Sequence, residues 1–543
     1  MATPNQSPPA TAAAKQPRVS DESAETTPLL GSPLPPPAYP SIIPHDDDDN
    51  KDAGPSRNQA DYDLGPSKDL ENAGIHPAAV HLHHRPARPW SQGKVVRLLL
   101  IAAAHAVLIW LILTATWGGR SSKKSNVHND LPYSETPHMP YYCHELSRSH
   151  TTTHSFDAEL DELRIVEQIR QHRDGYHDIH GLIKLVPASD DSSSSDGIRV
   201  TVSIQSNFPD DDDIAIVKTD TSLILQSTRA ESPNTWHERA CTVVDVTVAV
   251  PAGTTLAALA VSANWLSLHL HPLLDLTIAD EFNVELGAGS VASAVALPSR
   301  RTYISPAYGS VQGVYALLDL LEIDAAAGSV DVEVRPREVD PENPAPAVFN
   351  ARSKAGSIAA RFPTNEEEEE DGVSLPDRDY QVDVQTEAGS IMGRYVHGSR
   401  SSFESKYGSI TVTALPFKPA EASVLRAKNE AGQTMLDLLA PLKEKEGKGR
   451  KEEEGGPFVD LTAEFTSTVG SVRAVFPPEW EGTADVDTAV GSLRVAGEGL
   501  EIVKEGTHGP VGKWVQAVKG EGESTVLVKS KVGSVEFLVQ ETV

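Results

Sequence analysis

Nine times in this chain a Gly-Ser pair is followed at once by Val, Ile or Leu, with the glycines at Gly289, Gly309, Gly328, Gly356, Gly389, Gly408, Gly470, Gly491 and Gly533. The steps between them are 20, 19, 28, 33, 19, 62, 21 and 42 residues. A unit near 20 accounts for four steps directly, for 42 as two units, and for 62 as three units or as two with an insertion. The 28 and 33 steps hold extra material: Pro341 to Pro346 (PENPAP) in the first and the acidic run Glu366 to Asp371 in the second. Lys443 to Gly456 is a charged linker inside the longest gap. Behind several pairs the apolar residues fall at alternate positions, as in Val330, Val332, Val334, in Val472, Ala474, Phe476 and in Val535, Phe537, Val539. Glycine makes a turn without steric penalty, serine can bond its neighbouring backbone, and a strand with one apolar face then begins. Turn plus short strand, recurring at one coil's length, predicts stacked coils that bury a continuous apolar ladder. The competing reading is a β-sandwich whose strands share their turn chemistry; the near-integer spacing favours the coils.

Ahead of the repeats, Thr242 to Val250 reads TVVDVTVAV, with Val244, Val246, Val248 and Val250 on one face and Pro251-Ala252-Gly253 ending the run. That is the alternation of a half-buried strand. Ile198 to Ile204 alternates in the same way, and Ile214 to Ile224 less cleanly. Long amphipathic helical patterns are scarce, so residues 151–543 are expected to form one all-β ectodomain, with disordered insertions near 364–372 and 443–456. Val246 to Leu270 (VTVAVPAGTTLAALAVSANWLSLHL), followed by serial GSV and GSI units, resembles the putative-adhesin family of β-solenoid domains. The resemblance covers roughly residues 240 to 543 and implies a contact module; that family brings no catalytic residues to carry over. The whole chain is similar to membrane-anchored fungal proteins that carry such a domain.

One stretch sets the topology. Val95 to Trp117 reads VVRLLLIAAAHAVLIWLILTATW, and from Leu98 onward its 20 residues carry no formal charge. As a helix it matches the hydrocarbon thickness of a bilayer and satisfies its own backbone hydrogen bonds there. A transmembrane helix over 95–117 is therefore expected, acting as an uncleaved signal anchor because the apolar run starts too late for a cleaved leader. Arg85, Arg88, Lys94 and Arg97 precede it and Arg120, Lys123 and Lys124 follow it, which marginally favours a cytosolic N-terminus. The expected protein is single-pass, with its C-terminal part luminal or extracellular at a plasma, vacuolar or endosomal membrane. Residues 118–150, carrying Pro132, Pro137 and Pro140, read as a juxtamembrane stalk.

Residues 1–94 lack core-forming material and are expected to be a disordered cytosolic tail. Two sorting motifs stand in it. Pro36, Pro37 and Tyr39 form a PPxY pattern, whose prolines preset a polyproline II conformation for the aromatic groove of a WW-domain protein. Glu25, Leu29 and Leu30 form an acidic dileucine pattern of the kind a clathrin adaptor binds. The only two cysteines, Cys143 and Cys241, both follow the span, which suits one disulfide in an oxidising compartment. Two unrelated buried thiols are the alternative.

Chemistry-bearing constellations are thin. A formal charge of -30 excludes electrostatic nucleic-acid binding as a main role. Asp210 to Asp213 and Glu366 to Glu370 are contiguous acidic runs, which repel and stay solvated rather than forming an acid/base pair. His81, His83 and His84 have no further ligand nearby, and His269 and His271 flank Leu270 on what reads as an outer strand face. No G-x-S-x-G, HExxH, CxxC or P-loop occurs. Neither a cofactor nor a metal is expected. The sequence thus reads as a non-enzymatic display protein with an unidentified protein or glycan ligand, the alternative being a membrane trafficking adaptor that recruits a WW-domain ubiquitin ligase.

Overall fold

The computed structural model describes Cys143 and residues 146–157, 159–170, 177–189, 197–207, 214–227, 240–363, 375–417, 422–441, 458 and 460–540. The chain divides into two units after residue 125, and every described residue belongs to the second. The stretch 95–117, both tail motifs, His81, His83, His84 and the insertions 364–372 and 443–456 lie outside the described residues. Among the described residues no helix is long and apolar enough to cross a membrane.

The described residues are all-β: 31 strands in two sheets, of 15 and 16 strands. From Thr254 to Phe476 successive strands alternate between the sheets, and each pairs in parallel with the strand two places further on. The chain therefore winds in coils, one strand per sheet per turn. Counted along the sequence, the coils span 162–187, 222–250, 254–270, 276–293, 299–317, 320–336, 347–361, 380–397, 400–416, 423–438, 461–476, 482–497 and 524–539; below they are coils 1 to 13.

Two-residue periodicity turns into stacking because every coil keeps the same inward positions. In the 15-stranded sheet Val311, Val330, Ile358, Ile391 and Ile410 lie in register, each at most 1% exposed. In the 16-stranded sheet Ile304, Ile323, Ala351, Val384, Phe403, Ala427 and Phe465 form the facing row. These rows join one continuous apolar core, broken into no separate domains. Two aromatic knots thicken it, Phe349, Phe362, Tyr395 and Phe403 in the middle and Phe465, Phe476, Trp480 and Phe537 near coil 13. Rings at centroid separations of 4.9–6.1 Å fill the wide parts of the coil that Val and Ala leave open.

Space and sequence part company at both ends. Coil 13 lies between coils 11 and 12: Val472 pairs with Val535, and Val535 with Leu493. Coil 1 likewise lies between coils 2 and 3, since Ile183 pairs with both Val246 and Leu268. Glu167, 1% exposed, holds this junction by accepting hydrogen bonds from the amides of Ile169, Asn264 and Trp265. The remaining five strands are antiparallel and close the stack. Arg148–Ser155, Arg199–Ser206 and Ile214–Lys218 lie at one end, and Glu501–His508 with Gly512–Lys519 at the other.

Three expectations change accordingly. The 42-residue step is not two coils: it holds the antiparallel pair Glu501–His508 and Gly512–Lys519 and then the single returning coil 13. The 62-residue step is two coils with an insertion, because coil 10 turns at Gly432-Gln433 rather than at a Gly-Ser pair. Ile214 to Ile224 is two strands, Ile214–Lys218 and Ser222–Ser227, reversed by a tight turn at Thr219 to Thr221 where the Thr219 hydroxyl accepts from the Ser222 amide. In addition, the first strand Arg148–Ser155 begins inside the stretch read as stalk.

Candidate functional site

The predicted repeat glycines stand one above another at a single corner of the coil. A Cβ on Gly309 would lie 2.0 Å from the Gly289 carbonyl oxygen, one on Gly389 2.0 Å from that of Gly356, and one on Gly470 1.8 Å from that of Gly432. Ordinary contact begins near 3.4 Å, so the corner admits only glycine while adjacent coils keep their backbone bonds. Those bonds run through the turn without a break, from the Gly309 amide to the Ala327 carbonyl and from the Val311 amide to the Ser329 carbonyl, and similarly up the stack. The glycine is thus demanded by the neighbouring coil more than by the turn itself. The order Gly470, Gly533, Gly491 repeats here the displacement of coil 13.

Three residues before each glycine, from coil 7 onward, the inward position becomes polar: Ser353, Thr386, Ser405, Asn429, Ser467, Thr488 and Ser530. All are buried, and all but Ser467 donate to a glycine carbonyl of an adjacent coil, for example Thr386 Oγ1 to Gly356 O at 3.0 Å and Asn429 Nδ2 to Gly408 O at 2.8 Å. A buried carbonyl left unmatched would be costly, and these side chains match it. Sequence reasoning missed this row. The signal was available as Ser, Thr or Asn at a fixed three-residue lead.

Immediately before each glycine the side chain points outward. This outer row reads Tyr308, Ala327, Ala355, Ala388, Tyr407, Ala431, Val469, then Val532 and Val490 in stacking order. Tyr308 is 71% exposed, Tyr407 65%, and the three valines 45–53%. Beside the row, on the 16-stranded sheet, Lys354, Glu387, Lys406 and Glu430 occupy successive coils with alternating charge. With Asp324, Arg352, Gln385, Glu404 and Lys428 they line an open depression of about 290 Å³. Two of its charged pairs bridge adjacent coils, Lys406 with Glu387 at 3.3 Å and Lys428 with Glu404 at 3.9 Å. Rigid rungs and repeated polar groups suit an extended ligand better than a small one held in a closed pocket.

The structure joins Cys143 to Cys241 by a disulfide with the Cα atoms 5.5 Å apart. His180 lies against it, and these three residues are the one group among the described residues whose ligand atoms fall within 4.8 Å of each other. The two sulfurs are already bonded to one another, which leaves the imidazole as the sole open donor. Among the described residues His269 and His271 belong to no cluster of three metal-ligating side chains. His269 is half-buried with its pKa lowered, by burial first and Lys184 second, while His271 Nδ1 accepts from the Leu273 amide. Arg378 is a buried charge that serves the fold, since it spans the Arg337 and Ala345 carbonyls and pairs with Asp319.

No family model matches this sequence, and no curated protein matches it. Among solved structures, the chain is similar to a putative adhesin from Parabacteroides distasonis, with a TM-score of 0.22 and 10% identity over 60% of this chain and 92% of that one. It is also similar to a putative cell adhesion protein from Clostridium sporogenes, with a TM-score of 0.13 and 6% identity over 73% of this chain and 100% of that one. At such scores the likeness carries no argument, and the architecture rests on the strand pairing of this chain.

Proposed function

We propose that the chain is a non-enzymatic, single-pass membrane protein that displays its stack of coils as an adhesin-like contact surface. The observation that supports this best is the uninterrupted outer row at the glycine corner, with the charged depression beside it. Side chains repeat there on rungs about 4.8 Å apart, a spacing that suits an extended protein or glycan ligand bound along the stack. Glu387 and Glu404 of the depression stand on an open face in ion pairs with lysines, which is the environment of a binding surface rather than of an acid/base couple. Membrane display rests on the stretch Val95 to Trp117 and the charges around it.

Protease added outside intact cells tests the arrangement: it should remove epitopes beyond Arg120 and spare those before Lys94. The reverse pattern refutes it. Contact is tested by measuring adhesion of cells bearing the full chain and of cells bearing Glu387→Ala/Glu404→Ala. Equal adhesion by both, or none above cells lacking the chain, refutes the role given to this face. The second reading, a trafficking adaptor, rests on Pro36, Pro37 and Tyr39. Tyr39→Ala separates the two, because altered turnover of other membrane proteins marks an adaptor and altered turnover of this protein alone marks cargo.

A further inference from the structure

The outer corner row and its charged flank are complementary to themselves. From coil 7 to coil 10 the flank runs Lys354, Glu387, Lys406, Glu430, so its charge alternates once per coil. Let two copies meet corner to corner and antiparallel, with a two-fold axis crossing the row between coils 8 and 9. Each flank then faces the same flank of the other copy. Lys354 meets the partner's Glu430, and Glu387 meets the partner's Lys406. The same operation sets each copy's pairs twice, as an isologous interface requires. An axis shifted by one coil in either direction leaves two of the four charges without an opposite.

The apolar row obeys the same axis. Tyr407 falls on the partner's Ala388, Ala327 on the partner's Val469, and Tyr308 on the partner's Val532, so large residues meet smaller ones. Ala355 meets the partner's Ala431, where the small side chains leave room for the neighbouring rings. The row from Tyr308 to Val490 crosses nine coils, and at ~4.8 Å per coil it is about 38 Å long. With one flanking row on each side, each ~3.4 Å along the strand, the strip is about 10 Å wide and offers on the order of 400 Å² per copy, a small interface whose register the charge pairing sets. An exposed row of apolar side chains with a charged margin is what an interaction surface looks like.

We infer that the glycine corner is a homodimer interface, through which two copies of this chain pack side by side and antiparallel. This rests on the coil stack alone, and because Lys354, Glu387, Lys406 and Glu430 also line the depression, a second copy seated here competes with an extended ligand for the same face.

The test is sedimentation equilibrium of the full chain in density-matched non-ionic detergent, comparing wild type, Lys354→Glu, Glu430→Lys and the double reversal. Wild type should sediment as a dimer. Each single reversal puts like charges together at two symmetric places and should weaken the dimer about tenfold. The double reversal should restore it. Lys354 and Glu430 stand three coils apart in one chain, roughly 14 Å, so rescue cannot arise within a copy. Circular dichroism checks that all four proteins keep their strands. A monomeric wild type overturns the inference, and so does a dimer indifferent to the single reversals or one that the double reversal leaves dissociated.

Discussion

Replacing Gly470 by alanine tests the claim that the coils need glycine because of each other. The new Cβ would stand 1.8 Å from the Gly432 carbonyl oxygen, and the backbone there has φ of +148°, which alanine adopts only under strain. Relief requires the corner between coils 10 and 11 to open by more than about 1 Å against close-packed surroundings. Such an opening gives up two backbone hydrogen bonds, Gly432 amide to Val469 carbonyl and Thr434 amide to Ser471 carbonyl, both 2.9 Å. At about 1 kcal/mol for each bond and 1–2 kcal/mol for the strained φ, the loss is about 3–4 kcal/mol. The neighbouring Ser471→Ala alters only a half-buried hydroxyl and should stay within about 0.5 kcal/mol. Hydrogen exchange reads the difference locally: the Gly432 and Thr434 amides should exchange at least about a hundredfold faster in Gly470→Ala than in Ser471→Ala. Amides of coils 6 and 7 should change little, since each coil touches only its neighbours. If the two variants exchange alike at coil 10, the corner tolerates a Cβ and the steric argument is wrong.

Three further outcomes follow from the same geometry. Thr386→Val keeps shape but leaves the Gly356 carbonyl without its 3.0 Å donor, and urea titration should show a loss of about 1–3 kcal/mol. His397 is 1% exposed, and its pKa is pushed down to about 4 from 6.5, by burial first with Asp379 opposing. Its folded pKa lies below the unfolded one, so the stability it contributes is full above pH 6.5 and is lost as the pH falls toward 4. Between pH 7.5 and 5 that loss is about 2 kcal/mol, and His397→Gln should remove it from the measured pH dependence. Replacing Cys143 and Cys241 together by serine releases a 98-residue separation and should cost about 3 kcal/mol in denaturant melts, with faster exchange in coils 1 and 2 and none added in coil 11.

The regular part of the stack was legible because one covalent pattern repeats at one structural period: Gly328-Ser329-Val330 and Gly389-Ser390-Ile391 occupy equivalent places and look alike in sequence. Gly432 escaped notice since Gln433 and Thr434 follow it, and Thr434 is a fully buried polar residue where the other coils place an aliphatic one. The position of coil 13 was beyond sequence reading. Gly533-Ser534-Val535 carries the same signature as any coil, and nothing local records which two coils it separates. The antiparallel strands near Thr152 and Ile216 were equally hidden, because their partners are fixed by distant pairing rather than by their own period. The outer row was visible only in hindsight of the glycines: Ala, Tyr and Val before Gly have no common chemistry until the coils align them.

The irregular ends bear on how copies of the chain can meet. A parallel stack ending in a plain coil presents two unpaired strand edges to any other stack, and end-to-end growth follows. Here each end is shielded differently. The 16-stranded sheet finishes in Glu501–His508, where Glu501, Lys504 and Glu505 stand beside the exposed Ile502 and Val503, and the 15-stranded sheet finishes in the five-residue strand Leu493–Gly497. At the other end Arg148–Ser155 supplies a largely exposed polar edge and Ile214–Lys218 a five-residue one. Short, polar or charged edges of this kind oppose strand addition. Slotting coil 13 between coils 11 and 12 also ties the last turns to residues already folded on both sides, so the end does not fray singly. The glycine corner proposed for self-association lies away from these edges. Side-by-side contact there yields a closed pair, whereas contact at the ends would yield a filament.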